Sequence, residues 1–529
     1  MHEEPDVVVV GSGHNGLVTA AYLAAAGKRV HVLERQQWLG GGVVTRELTR
    51  PGFKHELHAL GHIMILANPL IEHDELRLID RYGLSYLPAK VPHAATFDDG
   101  TSIALHGDRE RTRDAIARIS PRDAEAYVHV ATLAERVIPL MLPGLFVPPA
   151  PLGEVMASLD STEEGRALIT MMGKSIDDLV NKWFEDERVR FTFIRLVSVP
   201  TLTLPQTKGV GLLALASIYL LERFGMMLVE GGSGGLTDAL VRCIEDHGGV
   251  LEGGVDVDRV VVRRGRAVGV RTTDGREITA SDAVVGMFHP HHIDRYFDDL
   301  EPRLVSAARA TETSEYTGFL IHAALNEPLR FRAGAEAADS YFNEVGTPRL
   351  LDMYDGYAEI RRGDLPTKLL FGAATPSTGD PTRAPEGKGI LHLFAHAPYE
   401  LREGGTAAWE HVKEEFADRL LARLGDFVEN LDGNVIDRHL VTPADHERTS
   451  SSFVDGDVHG IAPFSYQTGS FRPIPELAQY TIPGISNFYL TGPFMHPGGG
   501  VTGGGRATAI KIAQDLGLEL PLAEQIHHA

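Results

Sequence analysis

The chain has 529 residues, 43% of them apolar and 23% charged, which is ordinary for a soluble globular protein but long for a single hydrophobic core. Its net charge of −22 argues against nucleic acid as a partner and gives no electrostatic support for broad docking on anionic lipid. A single cysteine, Cys243, excludes an internal disulfide and a thiolate metal cluster, and its place in the helical pattern 236–246 marks it as a buried structural thiol.

In chain order, an acidic N-terminus enters an apolar strand, Val7–Val10, with no room for a signal peptide, so a cytoplasmic protein is expected. The strand runs into Gly11-Ser12-Gly13-His14-Asn15-Gly16, an alanine-rich helix, a second strand (Val30–Leu33) and then Glu34-Arg35. This is a βαβ unit carrying a dinucleotide fingerprint. Gly11 permits the tight turn, Gly13 the approach of a pyrophosphate, and Gly16 close packing of helix on sheet. The helix N-terminus offers free N–H groups to phosphate, and Glu34 offers a carboxylate to ribose hydroxyls. A second glycine turn, Gly40-Gly41-Gly42-Val43, follows.

Residues 76–225 read as mainly helical, with amphipathic patterns at 111–119 and 123–136 and an apolar helix at 210–221. The uncharged run 137–152 holds five prolines and cannot be one helix. A buried, kinked connection is the expected reading. Its alternative is an exposed apolar lip through which a greasy substrate enters, with peripheral contact at the inner face of a membrane. Residues 226–295 return to strands punctuated by glycine, including Val257–Val262 and a hairpin turn at Thr273–Arg276. Residues 296–480 mix strand-like runs (319–324, 369–373, 390–395) with a helix at about 407–424. The end of the chain pairs a buried strand, Phe488–Leu490, with Thr491-Gly492 and a glycine loop, His496-Pro497-Gly498-Gly499-Gly500-Val501, that opens a last helix.

These motifs resemble those of FAD-binding flavoproteins, in which a Gly-Gly turn follows the acid after about five residues. The C-terminal segment resembles the phytoene-desaturase-like flavoproteins. More narrowly, it resembles the branch with H-P-G-G-G-V that contains bacterial carotene ketolases and pyridine-nucleotide-disulfide-oxidoreductase-domain-2 type proteins. The middle block, Gly231–Leu236 through Val257 and Gly269, and the stretches Pro51–His62 and Phe471–Pro475 extend the resemblance in order and spacing. Pro493 departs from it, since relatives often carry an acid or alanine there. The resemblance implies an α/β fold, with a Rossmann-like FAD-binding domain of the two-dinucleotide-binding-domain flavoprotein type and an interleaved α+β substrate domain. The FAD domain would comprise 1–75, 226–295 and 481–529, and the substrate domain 76–225 and 296–480. FAD would be held by Gly11, Gly13, His14, Asn15, Gly16, Glu34, Arg35, Gly40, Gly41, Gly42, Val43, Val257, Gly492, Gly499, Gly500 and Val501.

Of the 24 histidines, His55, His58 and His62 fall at i, i+3, i+7, and His289, His291 and His292 cluster, yet no metal-ligand motif occurs and no metal is expected. His289 is expected to face solvent, and His527 and His528 to lie in a disordered tail. The resemblance places His62 and His496 beside the flavin, where either could take a substrate proton. The resulting expectation is an FAD-dependent dehydrogenase or desaturase that moves a hydride from a small apolar organic substrate to flavin N5 and passes electrons to oxygen or a quinone. The alternatives are a ketolase or isomerase, an amine or ring-ketone oxidase on the same fold, or a non-catalytic carrier of prenyl lipid. No second nucleotide site is legible, and the oligomeric state is not readable.

Overall fold

A computed structural model of the chain describes residues 4–523, so the tail with His527 and His528 lies outside the described residues. Strand β1 (Val7–Val10) is four valines in a row, buried on both faces as a central parallel strand must be. It enters helix α1 (His14–Ala25) and is followed by β2 (Val30–Glu34). Further along the chain come β3 (Val91–Phe97) and β4 (Ser102–Leu105), then helices from Arg109 to Phe224. Next are α2 (Gly234–Asp246), β5 (Val250–Gly253) and the strands β6 (Val257–Arg263), β7 (Arg266–Thr272), β8 (Glu277–Thr279) and β9 (Ala283–Gly286). The later half holds β10 (Thr317–Leu325), β11 (Ser340–Gly346), β12 (Phe371–Ala374), β13 (Gly389–Ala397), α3 (Trp409–Gly425), β14 (Val435–Val441), β15 (Phe488–Leu490) and α4 (Gly505–Leu516).

Two main sheets organise these elements. The first is parallel, in the order β15-β9-β1-β2-β5, and draws its strands from three separated stretches of sequence. Helices α1, α2 and α4 share one core under it, with Leu17, Leu236, Leu240, Cys243, Ala509 and Ile512 fully buried. That core also takes in Leu78, Tyr82 and Leu84, beyond residue 75, and Tyr86–Pro88 pairs with Met227–Val229. On the other side, Ile461, Ile474 and Leu477 join Val8, Val284 and Phe488, so this packing unit begins before residue 481. Burial holds the Cys243 thiol up at about 11, as suits a structural group.

The second sheet, β14-β10-β13-β12-β11-β3-β4, is antiparallel except where β11 runs parallel to β3. Its two faces differ in chemistry because side chains alternate. Leu391, Leu393 and Ala395 of β13 pack with Phe416, Leu420 and Leu424 of α3. His392, Phe394 and His396 face the other way, and His392 and Phe394 line the cavity described below. The helices between 109 and 224 enclose that side with a third core around Tyr127, Phe184, Phe193 and Ile218. Among the described residues no helix is long and apolar enough to cross a membrane. The proline-rich run 137–152 is broken into short turns, with Ile138 and Phe146 buried but Leu140 and Leu152 exposed, so it is neither wholly buried nor wholly a lip.

Candidate active site

A cavity of about 630 Å³ runs from the glycine turns of the parallel sheet to the histidine-bearing face of the second sheet. At one end α1 begins on Gly13 with neither a side-chain cap nor an acid in its first turn, so its leading N–H groups are left for an anion. Gly11 takes φ +99°, a conformation that L side chains rarely adopt, and a Cβ on Gly16 would overlap the Gly11 carbonyl oxygen. The second turn is locked onto the first. Gly40 N–H donates to the Ser12 carbonyl (3.1 Å) and to Ser12 Oγ (3.2 Å), and a Cβ on Gly41 would lie 3.0 Å from the Gly13 Cα.

Glu34, at the tip of β2, accepts from Ser12 N–H and Ser12 Oγ–H (both 2.8 Å) and from Gln36 N–H (2.9 Å). Beside it the cavity is walled by Arg35, Gln36, Val255, Asp256, Val257, Phe288 and Tyr296, the last two stacked with centroids 3.7 Å apart. This is a flat slot between apolar and charged side chains, next to a carboxylate. The uncapped helix, the glycine cradle and this slot fit a phosphate pair, a ribose and a base, so the residues suit a dinucleotide.

Gly11, Gly13, His14, Glu34, Arg35, Gly41, Gly42, Val43, Val257, Gly499, Gly500 and Val501 line this cavity together. Asn15, Gly16, Gly40 and Gly492 do not. Asn15 is buried and accepts from Gly505 N–H through Oδ1 (3.3 Å), which ties α1 to α4, and Pro493 takes the wall position next to Gly492. His14 lies against the Gly500 backbone, and burial lowers its pKa to about 4.

The two histidines expected beside the reacting centre do not reach the cavity. The His62 ring is fully buried, with Nδ1 3.0 Å from the Tyr86 hydroxyl, and burial takes its pKa to about 3. His496 Nε2–H donates to the Gly144 carbonyl (2.9 Å) across the domain junction, and its pKa falls to about 4 for the same reason. Both act as structural ties. His289, expected to face solvent, is internal. It is buried, Nε2–H donates to the Gly460 carbonyl (2.7 Å), and Nδ1 accepts from His291 N–H.

Other histidines occupy the cavity wall: His14, His58, His93, His392 and His459. His58 pairs with His446, Nδ1 to Nδ1 at 3.2 Å, while His446 Nε2–H donates to the Gly318 carbonyl (2.9 Å). The i, i+3, i+7 spacing of His55, His58 and His62 does not put them on a helix. The segment is instead a two-residue strand at 55–56 followed by irregular chain, so the three rings point to different partners. Among the described residues no three His, Cys, Asp or Glu side chains form a metal-binding group.

The far wall is apolar, with Leu196, Val199, Leu213, Leu220, Met226 and Phe394, around one buried ion pair, Arg195 with Glu344. Arg195 also donates to the Tyr357 hydroxyl and the His396 ring, and Glu344 Oε1 has no partner. A further residue, Arg472, was visible only as part of a resembling stretch. Its buried guanidinium donates to the carbonyls of Ile461, Ala462, Pro493 and Met495, gathering the loop that leads to the C-terminal glycines.

Comparison with known proteins agrees with this geometry. The domain family described as NAD(P)-binding Rossmann-like domain matches residues 9–70. A limonene dehydrogenase component of Castellaniella defragrans is 29% identical over 97% of this chain and 95% of that protein. Pyridine nucleotide-disulfide oxidoreductase domain-containing protein 2 of Rattus norvegicus is 28% identical over 97% and 94%. The lycopene-forming phytoene desaturase of Pseudescherichia vulneris is 26% identical over 96% and 99%. Over nearly its whole length the chain is thus similar to phytoene desaturases and related oxidoreductases. The solved structure of cyclohexylamine oxidase from Brevibacterium oxydans matches the fold of this chain, with a TM-score of 0.59 at 16% identity over 97% of this chain and 100% of that one.

Proposed function

We propose that the chain is an FAD-dependent dehydrogenase of the desaturase type, acting on a small, largely apolar organic substrate and passing electrons to oxygen or a quinone. The observation that carries this reading is the continuity of one cavity from the dinucleotide cradle to an apolar chamber. Gly11, Gly13 and the N-terminus of α1 would hold the pyrophosphate, Glu34 the adenosine ribose, Val257 and Tyr296 the adenine. The second glycine turn and the backbone of 498–502 would hold the rest. When bound, the flavin supplies a two-electron hydride acceptor.

The chain itself excludes water and positions the substrate. Leu196, Val199, Leu213 and Leu220 line the chamber that would receive the reacting carbon. The Arg195–Glu344 pair supports a partly apolar substrate, because an otherwise greasy chamber keeps one unpaired carboxylate oxygen.

The test is purification followed by anaerobic mixing with a panel of hydrocarbon and oxygenated terpenes. The protein should be yellow, release free FAD on acid precipitation, and bleach with at least one member of the panel. A colourless protein that binds prenyl lipid would favour the carrier reading. Flavin retained in the acid pellet would overturn non-covalent binding. Rapid, saturable oxidation of NADH would overturn the absence of a second nucleotide site.

A further inference from the structure

We propose that His58 is the group that takes the substrate proton, held in the reactive tautomer by His446; this rests on the dehydrogenase reading above. The Gly318 carbonyl can only accept, so the His446 nitrogen facing it at 2.9 Å, Nε2, carries a hydrogen. His446 is buried and neutral, with its pKa lowered to about 4, so its Nδ1 carries a lone pair. The hydrogen in the 3.2 Å contact between the two Nδ1 atoms therefore belongs to His58. A neutral His58 bearing its hydrogen on Nδ1 has a bare lone pair on Nε2. That atom is buried without a hydrogen-bond partner, while the ring to which it belongs lines the cavity beside the second glycine turn, with Cδ2 3.7 Å from where a Gly42 Cβ would stand.

The arrangement follows the logic of an oriented base: one group accepts the proton and a second fixes its tautomer and angle. Phe453 packs edge-on against the His58 ring (centroids 5.0 Å, 81°) and fixes its plane. The titratable groups acting on His58 are His446 from the 443–449 helix and His392 from β13, and His58 in turn acts on His322 of β10. His446 in turn feels Asp445. Burial lowers the pKa of all these rings, His58 itself well below the ordinary histidine value, so His58 is neutral before the reaction and its neighbours place no fixed positive charge beside it. With a flavin bound as the two-electron acceptor, one substrate carbon would lose its hydrogen together with the bonding pair. The adjacent C–H bond would break, its proton would go to His58 Nε2, and the electron pair left behind would close the new double bond, so that the two electrons lost by the substrate balance the two accepted.

His446 is a positioning residue, and Gln is the substitution that can replace it, since its amide both accepts from Nδ1–H and donates to Gly318. In ¹⁵N-histidine spectra of the flavin-loaded protein, the His58 ring, identified by its loss in H58Q, should show a protonated Nδ1 and a bare Nε2 at pH 7. H446Q should keep that tautomer and H446F should lose it. With the terpene that bleaches the wild type, H58Q should slow flavin reduction by about a hundredfold with flavin still bound, H446F should slow it less, and H446Q should recover most of the loss. A His58 protonated at Nε2 in the wild type, or reduction of H58Q at the wild-type rate, would overturn the proposal. A wild-type protein without flavin, or one that no terpene bleaches, strikes the dehydrogenase reading instead and takes the proposal with it.

Discussion

Glu34 shows how one side chain does two jobs at the nucleotide end. Its oxygens already accept three hydrogen bonds from Ser12 and Gln36, which fix the tip of β2 against the first glycine turn. Each carboxylate oxygen has further acceptor capacity, so ribose hydroxyls can still be bound. Glu34→Ala should weaken FAD binding by roughly 1.5–3 kcal/mol, an order of magnitude or two in Kd, by titration of the apoprotein with FAD. An unchanged Kd would mean that the ribose lies elsewhere. Its position beside the first glycine turn was legible because its neighbours are local in sequence and the turn chemistry is fixed by glycines. The histidines were not. His62 and His496 are turned from the cavity by Tyr86 and Gly144, the latter 352 residues away from its partner, and His58 is turned toward it by His446, 388 residues away. No sequence spacing encodes such pairings.

At the scale of elements, the crossing of α1 and α4 sets the geometry of the cradle. Gly505 allows α4 to sit against the Asn15 carbonyl, where a Cβ would overlap backbone, and Thr19 Oγ–H is shared between Asn15 O (2.9 Å) and Gly505 O (3.0 Å). Rigid backbone on both sides leaves nothing to move cheaply. Gly505→Ala should destabilise the protein by about 1–3 kcal/mol through overpacking and release flavin at a lower temperature than wild type. Thermal denaturation followed by flavin fluorescence reads both, and a wild-type transition would refute the close crossing. The strand-turn-helix units around this crossing were readable from apolar runs and glycines. The second sheet was readable only as separate strands at 319–324, 369–373 and 390–395. Its closure by β3 against β11 joins Val91 to Ser340 and depends on long-range pairing that alternation alone does not specify.

Over the whole molecule, the chain crosses repeatedly between its two sheets, and the junction is built from buried polar groups. Arg383 with Glu56 is a buried ion pair there, Arg506, held by Glu75, donates to the Phe146 carbonyl, and several histidines nearby are buried. Burial lowers the pKa of His14 and His446 to about 4 and of His55, His62, His93 and His392 to about 3. An unfolded chain protonates the same rings near pH 6.5, so between that pH and the native values the unfolded state binds more protons. Stability therefore rises with pH across this window and is lost as pH falls below about 6.5. At pH 5 each such ring costs about 2 kcal/mol, and a handful of them is comparable with the roughly 5–15 kcal/mol by which a typical domain is stable. Carboxylates titrate mostly below pH 5 in the unfolded chain, so the upper part of the window belongs to histidine. Tm measured at constant ionic strength should fall steeply between pH 6.5 and 5. A flat Tm over that interval would mean that the buried rings are hydrated or charged in the native protein, and the neutral His446 on which the His58 tautomer depends would lose its support.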